Sequence, residues 1–119
     1  MSRVTIAGVP LEVVSTKPTH IKAVDSDGRE YSLRKRSITV TTYAALCDDR
    51  PYTARRTSSS PFTKRREITD ASGRLVGVTE ANMAGEIELT TDTDLDLDLG
   101  FIAWALIHVD SPRNNLRLA

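Results

Sequence analysis

The stretch that most limits how this chain can fold lies near its C-terminal end. From Leu97 to Val109 the residues Leu97, Leu99, Phe101, Ile102, Ala103, Trp104, Ala105, Leu106, Ile107 and Val109 leave no polar stripe on a helical wheel. A helix that is apolar all round has to be surrounded. A bilayer span needs about 20 apolar residues. This run is shorter and is interrupted by Asp98, Gly100 and His108. The rest of the chain is therefore expected to wrap it. The larger of these side chains each gain ~1.5–3 kcal/mol on full burial, and no other segment offers a comparable sum.

The flanks favour a helix of about 96–109. Asp94, Asp96 and Asp98 stand where cap and first-turn carboxylates face the positive end of a helix dipole. His108 and Arg113 stand at the opposite end, and Pro112 closes the run. A strand from Glu86 to Leu99 competes for the first part, because Leu95, Leu97 and Leu99 alternate with aspartates at period two.

Upstream the pattern is of short β-rich runs and turns. Val4 to Ala7 and Leu11 to Ser15 flank a Gly8-Val9-Pro10 turn signal, and His20 to Val24 pairs with Glu30 to Arg34 across Asp25-Ser26-Asp27-Gly28. Ser37 to Leu46 has the highest β propensity, followed by Tyr52 to Thr57. Phe62 to Thr69 and Arg74 to Glu80 flank Asp70-Ala71-Ser72-Gly73, and Glu86 to Thr90 alternates Ile87 and Leu89 with glutamates. The expected fold is mainly β: an antiparallel β-barrel of about eight to nine short strands enclosing a hydrophobic C-terminal helix, as one domain over 1–119. A helix lying across an open barrel end, as in a pleckstrin-homology-like adaptor, would be amphipathic.

The segment Ile68-Thr69-Asp70-Ala71-Ser72-Gly73-Arg74-Leu75-Val76-Gly77, then a short alternating strand and a terminal hydrophobic helix, resembles the tubby C-terminal-like superfamily, which includes tubby-like proteins, LURP-one-related proteins and phospholipid scramblases. The likeness covers Phe62 to Asp110, with Asp25 to Gly28 and the following strand as an earlier copy of the same hairpin. It implies a β-barrel threaded by a central helix and, by analogy, phosphoinositide head groups as ligands. No segment matches a functional motif of the family residue by residue.

The formal net charge of zero conceals two opposed blocks. Arg29 to Arg66 carries ten Lys/Arg against Glu30, Asp48 and Asp49, and Glu67 to Asp110 carries ten Asp/Glu against Arg74. The blocks either pair within the fold or leave a positive pole for phosphates or acidic partners. The candidate anion-binding residues are Arg34, Lys35, Arg36, Arg55, Arg56, Lys64, Arg65 and Arg66. Arginine offers bidentate donors to phosphate and carboxylate. Neighbours on a strand point to opposite faces, so at most two of Lys64, Arg65 and Arg66 project together.

Other chemistries find less support. Counting an EF-hand loop from Asp92 or Asp94 places neither glycine sixth nor glutamate twelfth. No phosphate-cradling loop, nucleophile elbow or Cys/His metal pattern occurs, so no cofactor and no catalysis are expected. A small enzyme would have to draw on His20, Cys47, Asp48 and Asp49. Few aromatics and a pI near 6.7 argue against nucleic acid. Arg55-Arg56-Thr57-Ser58 has the form of a basic-directed phosphorylation site at Ser58. One cysteine, with no signal peptide, lipidation motif or transmembrane span, fits a cytoplasmic protein. The expectation is a non-enzymatic binding or scaffold protein whose partner is an anionic phospholipid or an acidic protein surface.

Overall fold

The computed structural model describes residues 2–36, 42–57, 64–81, 86–91, 95–110 and 115–118, with Glu86 and 115–118 as backbone only. Nine strands precede one helix and a tenth follows it: β1 (Ser2–Ile6), β2 (Val9–Lys17), β3 (His20–Val24), β4 (Glu30–Lys35), β5 (Thr42–Cys47), β6 (Arg50–Arg56), β7 (Lys64–Asp70), β8 (Leu75–Ala81), β9 (Glu86–Thr90), α1 (Leu97–Asp110) and β10 (Asn115–Leu118). They form one sheet in chain order. Every pair from β1 to β9 is antiparallel, whereas β10 runs parallel to β9. Parallel neighbours need a crossover, and α1 is that crossover.

Two expectations change here. The helix does not end the fold, because β10 returns beside β9 with Asn115 opposite Glu86. The first turn is Ala7-Gly8, one residue earlier than the Gly8-Val9-Pro10 signal, with both residues at positive φ between the paired Ile6 and Val9. The contest over 86–99 resolves into a strand that stops at Thr90 and a helix that starts at Leu97. Half of the strand expected over 37–46, up to 41, lies outside the described residues, and β5 runs from Thr42 to Cys47.

The two glycine turns are built alike. In the first, Asp25 Oδ1 accepts from the amides of Asp27 and Arg29, both at 2.9 Å, and Gly28 N donates to Asp25 O at 3.1 Å. In the second, Asp70 Oδ1 accepts from Ser72 and Arg74, both at 3.0 Å, and Gly73 N donates to Asp70 O at 3.0 Å. The glycines Gly28 and Gly73 share φ 84°, a left-handed backbone that suits glycine. These bonds hold the Asp70 carboxyl below the usual carboxylate range, the Ser72 hydroxyl contributing most.

Alternation decides which side of each strand meets α1. Tyr31 and Leu33, then Tyr43, Ala45 and Cys47, then Ala54, Ile68, Ile87 and Leu89 are buried on one face. On α1, Phe101, Ile102, Ala103, Ala105 and Leu106 have no exposed surface at all. Leu97, Trp104 and Val109 are partly buried against the same core. Strands from both ends of the order touch the helix, β1 and β2 on one side and β8, β9 and β10 on the other. Ten strands laid flat at ~4.8 Å would span roughly 43 Å, against a helix ~10 Å across. The sheet therefore curves round α1. Among the described residues β1 and β10 are not paired with each other.

Close approach depends on two glycines. A Cβ on Gly77 of β8 would lie 3.2 Å from Leu99 Cδ2, and one on Gly100 would lie 2.5 Å from Ile6 Cγ2. Alanine is the better helix former by ~1 kcal/mol, yet Gly100→Ala has no room because the β-branched Ile6 is stiff at χ1. Gly100→Ala should lose ~1–3 kcal/mol in thermal or denaturant unfolding. Ile6→Ala added to it should cost less than Ile6→Ala alone. Strictly additive losses would mean that β1 does not press on the helix.

Candidate functional site

The described ionisable groups fall into an inner set, from which Arg50 and Arg66 fasten the helix, and an outer set. Asp96 caps α1 by accepting from Leu99 N at 2.8 Å. Within the first turn, the buried Asp98 receives Arg50 Nε at 2.7 Å, Arg50 Nη2 at 2.9 Å and the Tyr52 hydroxyl at 2.6 Å. At the far end Asp110 receives Arg66 Nε at 2.6 Å and Nη2 at 3.1 Å, and the guanidinium lies 5.0 Å from the Tyr43 ring centre. An aspartate at a helix C-terminus opposes the dipole, so a cation there offsets both the charge and the dipole. Arg66 and Asp110 are 1% and 5% exposed. Two side-on arginine forks, one from β6 and one from β7, thus hold the two ends of α1.

These contacts shift the groups involved. The bond to Asp98 holds the Arg50 guanidinium further above its ordinary range. Burial, then the bond to Asp98, pushes the Tyr52 phenol up. Burial likewise pushes the Cys47 thiol up, so it remains a thiol and a poor nucleophile. Cys47 faces the helix, whereas His20 lies on the outer side of β3, so the two stand on opposite faces of the sheet. His108 lies edge-on to Trp104 with ring centres 4.9 Å apart. Among the described residues no three His, Cys, Asp or Glu side chains gather as metal ligands. Asp92, Asp94 and Ser58 lie outside the described residues.

The eight candidate cations are divided by the pleat. Alternation with buried neighbours turns Lys35, Arg56, Lys64 and Arg66 toward the helix side and Arg34, Arg55 and Arg65 outward, with Arg36 exposed beyond the end of β4. All eight therefore do not form one surface. Arg66 leaves the anion-binding set altogether, because it is buried and engaged by Asp110. Outside, Arg65 reaches Glu67 at 3.2 Å, while Arg34 and Arg36 have no carboxylate partner among the described residues.

Arg34 and Arg36 border a depression of about 460 Å³ on the outer face of β3 to β6. His20 and Lys22 form its β3 wall, and Ser32, Ala44 and Thr53, all small, leave its floor open. Lys22 is held by Glu30 at 3.1 Å. Arg34 Nε donates to His20 Nε2 at 3.4 Å. Partial burial, then Arg34, Lys22 and Lys17, holds the His20 imidazolium below its ordinary pKa. An adjoining depression of about 300 Å³ is of opposite character, with Asp27, Asp48 and Asp49 on its wall and Arg29 within 3.8 Å of Asp27 and 3.6 Å of Asp48.

Sequence reasoning placed Asp98 at a helix start but gave it no partner, and it passed over Arg50, Tyr52 and Asp110. An aspartate just ahead of Pro112, where the dipole favours cations, was the signal that a buried base had to meet it. Comparison of the chain with protein-family models, with curated proteins and with solved structures returned no match.

Removing one member of a buried ion pair leaves the other uncompensated, at a cost of ~3–5 kcal/mol, whereas an apolar pair of similar volume is often neutral or better. Arg66→Met alone and Asp110→Leu alone should each lower the melting temperature sharply, and the double substitution should recover most of the loss. Single variants that melt like the parent protein would show that this pair does not hold the helix.

Proposed function

We propose that this chain is a non-enzymatic binding or scaffold protein, a tubby-like β-barrel closed round its central helix, that engages an anionic partner through the outer face of β3 to β6. The observation that carries this reading is the division of the cations. On the helix side, Arg50 of β6 and Arg66 of β7 are engaged by Asp98 and Asp110. Outside, Arg34 and Arg36 border one depression, and among the described residues neither is paired with a carboxylate. The closed barrel is favoured by contacts of α1 with strands at both ends of the sheet order. A pleckstrin-homology-like arrangement is disfavoured, since a helix on a barrel end would keep one face in water.

The ligand favoured is an anionic lipid head group, for which paired guanidinium groups are suited donors. An acidic protein surface is the second reading, favoured by the apolar Leu46 and Pro51 on the rim of the same depression. No described helix is long and apolar enough to cross a membrane. Sedimentation with phosphatidylcholine vesicles, with and without phosphatidylinositol bisphosphate, should show binding at low salt that disappears as salt is raised. Each basic side chain near an anionic surface is worth ~1 kcal/mol, so Arg34→Gln with Arg36→Gln should weaken binding ~30-fold. Binding that survives salt and both substitutions would refute the outer face as the site. Absence of vesicle binding, with salt-sensitive capture of an acidic polypeptide, would select the second reading.

A further inference from the structure

We infer that the depression between His20, Arg34 and Arg36 is a proton-linked oxyanion site, in which a phosphate or sulfate group seated on the two arginines draws a proton from solvent onto His20. The inference rests on the reading of this outer face as anion-binding and adds the group that makes the binding depend on pH.

The geometry fixes the starting state. Arg34 Nε donates to His20 Nε2, so that nitrogen carries a lone pair and the ring is neutral. Protonating Nε2 would turn two N–H groups toward each other and set a cation among the cations that surround it. Those are Arg34 from β4, Lys22 from the same strand and Lys17, which stands opposite His20 on β2. The acid of this depression, Glu30, is tied to Lys22 and offers the ring no countercharge. With no anion present, partial burial and the surrounding cations disfavour a proton on His20.

A tetrahedral oxyanion reverses each of these terms. Its oxygens accept from the planar forks of Arg34 and Arg36, which match such groups in shape. Once the Arg34 guanidinium turns to the anion, His20 Nε2 is released, and a proton placed there becomes a further donor to it. Nearby negative charge favours the imidazolium. By linkage, an anion that raises the His20 pKa binds more tightly when that proton is already on. Affinity therefore rises as pH falls through the titration of His20, which in the free protein lies below the ordinary histidine range.

The test uses the full chain with two probes whose charge is constant between about pH 5 and pH 8: inorganic sulfate, and phosphatidylcholine vesicles containing phosphatidylglycerol. The histidine ring signals of His20 and His108 are followed by NMR, with His20→Gln for assignment. Saturating sulfate should raise the His20 pKa by about one unit and leave His108 unmoved, and binding should tighten by up to ~tenfold between about pH 8 and pH 5.5. His20→Gln should melt like the parent, because its side chain faces outward, and should bind at the higher pH with the pH dependence gone. Arg34→Gln with Arg36→Gln should lose binding at both pH values. Sulfate alone binding would mark a free oxyanion as the ligand, and binding of both probes a lipid head group, either outcome supporting the site. Anion binding with an unmoved His20 signal and a flat pH profile would overturn the proton link while leaving the proposed function standing. No binding of either probe at low salt would overturn both.

Discussion

The structure depends on the need to cover a helix that has no polar face. Most helices are packed from one side and leave a stripe in water. Here α1 is buried round most of its circumference, so the sheet has to supply contacts from opposing directions. A meander of short antiparallel strands does this, since each hairpin adds one strand beside the last and the sheet can curve as it grows. The small inward residues Gly77, Thr79 and Ala81 on β8, and Gly100 on the helix itself, mark where the two approach most closely.

A buried helix still has two polar ends, and the charge pattern of the chain follows from them. The excess of bases in the middle third and of acids after Glu67 is in part internal complementarity, as Arg50 with Asp98 and Arg66 with Asp110 demonstrate. A buried pair adds little net stability over apolar residues of the same size. What it adds in this setting is position: each guanidinium fork accepts the helix in one depth and one rotation. With the inner arginines engaged in that way, and Lys22 and Arg65 paired with Glu30 and Glu67, Arg34 and Arg36 are left without a carboxylate partner among the described residues.

Much of the architecture was legible because it is written in local periodicity. The helix expected over about 96–109 lies at Leu97–Asp110, and the hairpins at Asp25 and Asp70 fall where their Asp-x-x-Gly signals stand. The tenth strand was not legible, because parallel pairing of four residues with β9 is decided by where the crossover delivers them. Nor could the basic clusters be divided by eye. Lys64, Arg65 and Arg66 look equivalent until the burial of Ile68 fixes which parity of β7 faces the helix. The Arg66 and Asp110 pairing joins residues far apart in the chain, and His20 gained interest only when its neighbours on β2 and β4 were known.

The same division links fold to proposed function. The core strands present one face to the helix and the other to solvent, so any residue that stabilises the interior is withheld from binding, and the outer row from His20 to Thr53 can vary without disturbing the core. Native-state hydrogen exchange tests the underlying claim most directly, because a helix that organises the whole fold can open only when the fold does. The amides of Phe101 to Ile107 should exchange at the free energy of global unfolding, together with those of β4 to β7. Exchange of the helix through a smaller opening, while those strands stay protected, would mean that the sheet stands without it.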